Sequence, residues 1–88
     1  MRVWQRTKRH GFTRHLYGDI VIHEGYRSVP CYSWGRRNGK TRQQRYWRVY
    51  NDKTSETIGD HEGYELLRDA KAAANEHMDK QRAQENAQ

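Results

Sequence analysis

Aliphatic side chains are scarce in this chain: hydrophobic residues of every kind make up 33% of it, and charged residues 32%. So small an apolar complement excludes a large core and a second domain, and 88 residues lie near the lower end of what folds without staples. Staples are lacking too. Cys31 is the single cysteine, which rules out an intramolecular disulfide and a cysteine zinc site. No apolar run approaches the ~18 residues of a membrane span. The opening MRVWQRTKRHGF has no apolar centre of the signal-peptide kind. The expectation is a soluble, cytoplasmic protein with no membrane contact. Neither a Walker-type glycine loop nor a serine elbow occurs, so two familiar routes to an enzyme are closed.

What the chain does contain is aromatic and basic. Three Trp, six Tyr and one Phe supply the burial that aliphatics do not, since each aromatic covers a large area. The net charge is +6, unevenly placed. Residues 1–50 hold twelve Arg or Lys against Asp19 and Glu24, whereas residues 51–88 hold five against nine acids. A basic front and an acidic rear steer a polyanion towards the front. The plainer reading is an arginine-rich solvated surface.

The densest stretch is Tyr26–Tyr50, YRSVPCYSWGRRNGKTRQQRYWRVY, in which no acid occurs. Its centre, Asn38-Gly39, is the strongest short-range hairpin signal, and it predicts two aromatic arms with a basic tip. A two-residue loop there pairs Pro30 with Trp47 and mixes core-type with solvent-type residues. A one-residue shift instead gathers Val29, Cys31, Trp47 and Val49 on a core face. Tyr32, Tyr46, Arg48 and Tyr50 then lie on the other. The shifted register is preferred because it separates the two kinds of residue.

Around this stretch the chain divides simply. Residues 1–15 are basic and irregular, an arm expected to dock partly through Trp4 and Phe12. Asp19–His23, DIVIH, reads as a first strand, with Glu24-Gly25 as the turn that follows it. Pro30 marks an edge or a bulge, and free edges leave dimerisation by sheet pairing open. Glu56–Gly59 predicts a short fourth strand. The helix is expected from about Glu65 to Arg82, with Leu66, Leu67, Ala70, Ala74, His77 and Met78 on one stripe. Glu76 and Lys80 are spaced i, i+4, and residues 84–88 are expected to fray. The fold class is therefore α+β: one domain over residues 16–83, an antiparallel sheet of three to four strands with one C-terminal amphipathic helix on one face.

The candidate site interleaves Tyr32, Trp34, Tyr46 and Tyr50 with Arg36, Arg37, Lys40, Arg42, Arg45 and Arg48. Guanidinium forks bind phosphates and base edges, and aromatic faces stack on unpaired bases. Arg2, Arg6, Lys8, Arg9 and Arg14 of the arm are secondary contacts. The same pattern also fits a sheet face stabilised by cation–π pairs, or aromatics buried beneath residues 1–15. No cofactor or metal is expected. His61-Glu62-Gly63-Tyr64-Glu65 begins like a zinc-binding HExxH motif but lacks the second histidine, and His10, His15 and His23 have no ligand spacing. A small metal-independent ribonuclease would need only Arg, Lys, His and Tyr, with His15, His23 and Tyr46 as its candidates.

From Trp47 to His77, WRVYNDKTSETIG…GYELLRDAKAAANEH, an aromatic strand, a turn, a glycine and an aromatic precede a Leu-x-x-Ala-x-x-Ala helix. This resembles the small three-stranded-sheet-plus-helix DNA-binding domains of plant ethylene-response factors and phage integrase arm-binding domains. It is also similar to short proteins of phages infecting actinobacteria. The resemblance implies a sheet that enters the major groove with the helix behind it, and places Arg36, Arg42, Arg45, Arg48 and Trp34 against DNA. The resulting expectation is a non-enzymatic nucleic-acid-binding protein of phage type, with DNA the favoured target, acting in the host cytoplasm. The alternatives are a phage-encoded effector gripping an acidic host protein and the small ribonuclease.

Overall fold

The computed structural model describes residues 2–86. Four strands, β1 (Gln5–Arg9), β2 (Phe12–Tyr17), β3 (Ile20–Ser33) and β4 (Arg36–Asn51), precede one helix, α1 (Leu67–Asn86). The strands form an antiparallel meander in the order β1-β2-β3-β4. The α+β arrangement read from the sequence is thus present, with the helix packed on one face of a four-stranded sheet.

The apolar residues that fix the register are few. Ile22 faces Val49, Glu24 faces Trp47 and Ile20 faces Asn51. On the same side His15 lies beside Ile22, and Tyr17 beside Ile20. Ala70 and Ala74 of α1, both wholly buried, bring the helix close to these residues, and Ile58 completes the core. Trp4, Tyr64, Leu67 and Met78 pack around it. Alanine at the contact lets the helix axis sit near a sheet that carries a tryptophan. Leu66, expected on this stripe, is 46% exposed because the helix begins one residue after it.

The β3–β4 turn differs from the expected one. It falls at Trp34-Gly35, where Ser33 pairs with Arg36 and both loop residues have positive φ (55° and 74°). Two consecutive left-handed residues in a two-residue loop make a type I′ turn. Asn38-Gly39 instead forms a bulge: between the Pro30–Thr41 and Tyr32–Arg37 pairs, Cys31 alone faces Asn38, Gly39 and Lys40. Asn38 Oδ1 accepts from the Lys40 amide at 2.9 Å, an Asx turn inside the strand. The reason lies at the far end of the hairpin. A turn at Asn38-Gly39 would set Val49 against Ser28 and leave Ile20–Ile22 without apolar partners. Burial at the base outweighs turn propensity at the tip.

Two further expectations are corrected. Glu24-Gly25 is no turn, because β3 runs through it unbroken. Gly25 is there for close approach: a Cβ would stand 2.7 Å from Tyr46 Cζ. Residues 1–15 are not an irregular arm, since β1 and β2 form a hairpin whose turn, His10-Gly11, again has two positive φ values. Trp4 does dock, 5.6 Å from the Tyr17 ring, and Arg2 binds Asp79 at 2.6 Å near the C-terminal end of α1.

Residues 57–64 run along the outer edge of β4 without forming a full fourth or fifth strand. Thr57 pairs with Tyr50 and Tyr64 with Trp47, joined by backbone bonds of 2.7–2.9 Å. The expected Glu76–Lys80 pair is made at 3.0 Å. α1 extends past the expected Arg82 to Asn86, so residues 84–86, expected to fray, are helical; residues 87–88 of that expectation lie outside the described residues.

Candidate nucleic-acid interface

The core occupies only the base of the sheet. Beyond Arg27 and Gln44, β3 and β4 continue alone as a two-stranded ribbon. Six residues, Ser28–Ser33, at roughly 3.3 Å each give it a reach of about 20 Å. The molecule is accordingly long, 55 × 28 × 24 Å. Its radius of gyration is 16.0 Å, where a compact chain of this length would have about 12 Å.

Four cations sit on the free ribbon: Arg36, Arg37, Lys40 and Arg42, all exposed. None forms an ion pair among the described residues. At the tip the Trp34 indole is fully exposed (101%) on a backbone with φ 55°, a conformation that disfavours a bulky side chain. Tyr32, opposite Arg37, is 64% exposed. Six of the expected residues therefore form one group: Tyr32, Trp34, Arg36, Arg37, Lys40 and Arg42.

The others are placed differently. Tyr46, Arg48 and Tyr50 share the sheet face away from the helix, as the alternation of β4 implied. There they join residues the sequence reading did not associate with them. Thr7, Arg14, His23 and Arg48 make one row across all four strands, with Arg9 and Phe12 beside it. The Phe12 ring is 5.9 Å from His23. Arg14 Nε is buried without an acceptor in the protein. Among the described strand residues, no position on this face is acidic. His23 has its pKa lowered by burial, then by Arg14 and Arg9, with Glu24 opposing. A groove of about 430 Å³ lies between His23, Arg48 and Tyr50 and the turn carrying Ser55 and Thr57.

Tyr46 is less available than expected. Its ring lies between the backbones of Gly25 and Gly63, and the Arg27 guanidinium stacks on it at 4.8 Å. Arg27 also donates to the Glu62 carbonyl at 2.9 Å, and Arg48 to the His61 carbonyl at 3.2 Å. Arg27, which the sequence reading passed over, therefore ties the ribbon's base to the 60–63 loop. Its position two residues from Gly25 was the available signal, since alternation puts both on one face.

Arg45 departs from the candidate face altogether. It lies on the helix side, 3.7 Å from Glu24 and with its guanidinium 5.3 Å from the centroid of the Trp47 ring. Register forces this, because Arg45 and Trp47 are two residues apart on β4. Arg6 and Lys8 of β1 also sit on this side, paired with His15 and Thr13. Arg2 is engaged by α1, which holds its pKa above the usual value through the Asp79 hydrogen bond. Of the five secondary contacts, Arg9 and Arg14 alone lie on the uncovered face.

The histidines of the ribonuclease alternative do not combine. His15 is buried on the helix side with its ring 5.6 Å from Trp47, whereas His23 is on the opposite face. Among the described residues no three His, Cys, Asp or Glu side chains come together as a metal-binding group, and no helix is long and apolar enough to cross a membrane.

No known protein family, curated protein or solved structure matches the chain.

Proposed function

We propose that this chain is a non-enzymatic nucleic-acid-binding protein, with duplex DNA its favoured target and the β3–β4 ribbon its principal contact. The observation that carries this reading is the free ribbon: four unpaired cations and an exposed indole on a projection that contains no acid. A two-stranded ribbon is narrow enough to enter the major groove, about 12 Å wide. The row of Arg14, His23 and Arg48 on the uncovered face extends the basic surface back from the ribbon. The resemblance to small sheet-plus-helix DNA-binding domains implies the same orientation: helix behind, sheet forward.

If each of the four ribbon cations neutralises one phosphate, log affinity falls with log salt at a slope of about −3.6, or roughly 10²-fold between 50 and 200 mM. Binding is measured by fluorescence anisotropy on a labelled duplex across that salt range. Changing Arg36, Arg37 and Arg42 to Ala together should weaken binding at low salt and leave a slope near −1. Salt-independent binding, or no response to these changes, refutes the reading. The same cations would serve a phage-encoded effector that grips an acidic host protein. Capture of one host protein that survives nuclease treatment, with no duplex binding by the pure chain, would select that reading instead.

A further inference from the structure

Away from the ribbon, the uncovered face of the sheet sets rings and arginines side by side through its register. Arg9 of β1 pairs with Phe12 of β2, Arg14 pairs with His23 of β3, and His23 pairs in turn with Arg48 of β4. The rings follow one another across the strands: Tyr26 lies 6.3 Å from Phe12, and Phe12 5.9 Å from His23. His23 and Tyr50 then line the groove of about 430 Å³, a size in the range of small-ligand sites, about 300–1,000 Å³. Phe12 (37% exposed) and Tyr26 (50% exposed) stand in water beside each other, in a chain with few apolar side chains to spare. An exposed aromatic pair ringed by charge marks a contact surface.

The charges on this face are free to act outward. Arg9, Arg14 and Arg48 form no ion pair among the described residues. Arg48 donates to the His61 carbonyl at 3.2 Å, a neutral acceptor that fixes the guanidinium and leaves its charge. Glu62 lines the adjoining hollow with Arg27 and Arg48 rather than the groove itself. The groove's far wall is firm. Asn51 Oδ1 accepts from the Lys53 and Thr54 amides at 2.9 and 3.2 Å, and the Ser55 amide donates to the Asn51 carbonyl at 2.7 Å. That closed turn holds Ser55 at φ 62°. Ser55 and Thr57 thereby bring hydroxyl side chains to the wall, groups that donate to or accept from the edge of a base. A duplex hides the faces of its bases in the stack, whereas an unpaired strand offers them to flat rings on a sheet.

We propose that this face binds an unpaired nucleic-acid strand: a base stacks on Phe12, another enters the groove against Tyr50, and Arg9, Arg14 and Arg48 follow the phosphates. The proposal rests on the nucleic-acid reading for its class of ligand, and it names a second site, none of whose residues lies on the free ribbon. The preferred ligand is then a duplex that ends in a single strand, with the duplex on the ribbon and the unpaired tail on the sheet.

The test measures fluorescence anisotropy of three labelled probes with the full chain. They are an oligothymidylate of about eight nucleotides, within the usual span of single-strand sites, a blunt duplex, and the same duplex with an oligothymidylate tail. The tailed duplex should bind about fivefold or more tightly than the blunt one, the gain expected from one stacked base. Phe12→Leu keeps an apolar side chain at the position and removes the stacking ring. It and Tyr50→Leu should each weaken oligothymidylate binding about fivefold or more, while blunt-duplex affinity holds. Arg9→Gln, on the exposed edge strand β1, should make the salt slope for oligothymidylate shallower by about 0.7, a change that loss of packing does not produce. Replacing Arg36, Arg37 and Arg42 with Ala should weaken the blunt duplex and leave the single strand bound. A tail that adds nothing overturns the site. So does oligothymidylate binding that neither Phe12→Leu nor Arg9→Gln alters, or that disappears in the ribbon variant. Blunt-duplex binding alongside any of those results leaves the ribbon reading standing alone. Oligothymidylate binding that responds to Phe12→Leu, with no binding of the blunt duplex, leaves the face standing without the ribbon.

Discussion

Replacing Trp34 with Asn should make the ribbon more stable and its binding weaker. Trp34 occupies the first position of a type I′ turn at φ 55° and precedes Gly35 at φ 74°. An L-residue in the left-handed region costs roughly 1–2 kcal/mol, and Asn is the non-glycine residue that tolerates it best. The indole is fully exposed, so its removal forfeits no packing. We therefore expect the variant to gain about 1 kcal/mol locally, with no change in the core. The gain falls on the ribbon, which lies beyond the core, so a local probe reads it better than a global melt. Amide hydrogen exchange across Tyr32–Thr41 reads it directly, and 1 kcal/mol corresponds to about fivefold slower exchange. Affinity for nucleic acid should move the other way. Loss of one aromatic stacking contact is worth about 1–3 kcal/mol, or roughly 5- to 150-fold. The salt slope should stay fixed, because no charge is removed. Slower exchange with unchanged affinity would show that Trp34 makes no contact with the ligand. Faster exchange would show that the indole packs on the ribbon, and would refute the strain argument itself.

Three other perturbations follow from the packing. Gly25→Ala places a methyl 2.7 Å from Tyr46 Cζ, and Gly63 blocks the ring's retreat on its other side. It should lower the denaturant-derived stability by about 1–3 kcal/mol and release Arg27 from the ring. Ala74→Leu adds bulk at a wholly buried helix contact and should be destabilising by a similar ~1–3 kcal/mol, measured the same way. For pH, the pKa values of both His15 and His23 are lowered in the fold by burial and neighbouring cations. The unfolded chain then takes up protons first, so this contribution is complete above about pH 6.5 and is lost as pH falls through the folded values. Denaturant midpoints at about pH 7.5 and 5 should differ in that direction, and less so in His15→Asn.

The parts of the fold legible in the sequence were those with a strong local period. The alanine-rich stripe of α1 announced itself at i, i+4 spacing. Alternation in β4 correctly divided Trp47 and Val49 from Tyr46, Arg48 and Tyr50, but Val29 and Cys31, expected on the core face with them, lie on the free ribbon outside the core, Val29 facing Arg42. Register was not legible, because it depends on which distant apolar segment meets Trp47 and Val49. Ile22 does so across 27 residues in the pair Ile22–Val49, while Trp47 faces Glu24 and Ile20 joins them in the same core cluster. The Asn-Gly dipeptide drew attention to the tip, where little is buried and little is decided. The β1–β2 hairpin was hidden for another reason. All five residues of β1 are exposed, so no hydrophobic alternation marks it, and its turn is an unusual His10-Gly11. The tip residues of the candidate site lie together, whereas register puts Arg45 on the helix side and brings Arg9, Arg14 and His23 onto the uncovered face, placements that no local pattern in the chain marks.

The ribbon's lateral margins carry one more consequence. Past Arg27 and Gln44 both of its strands expose unpaired backbone amides and carbonyls along their outer sides. Such margins invite another strand to add on. Pro30 removes one donor from the β3 margin, the Asn38–Lys40 bulge deforms the β4 margin, and like charges from Arg36 to Arg42 repel a second ribbon. The basic residues thus keep copies of the protein apart. If the ribbon binds a polyanion as proposed, neutralising these charges would lift that restraint, and sedimentation should then show more self-association in loaded protein than in free protein.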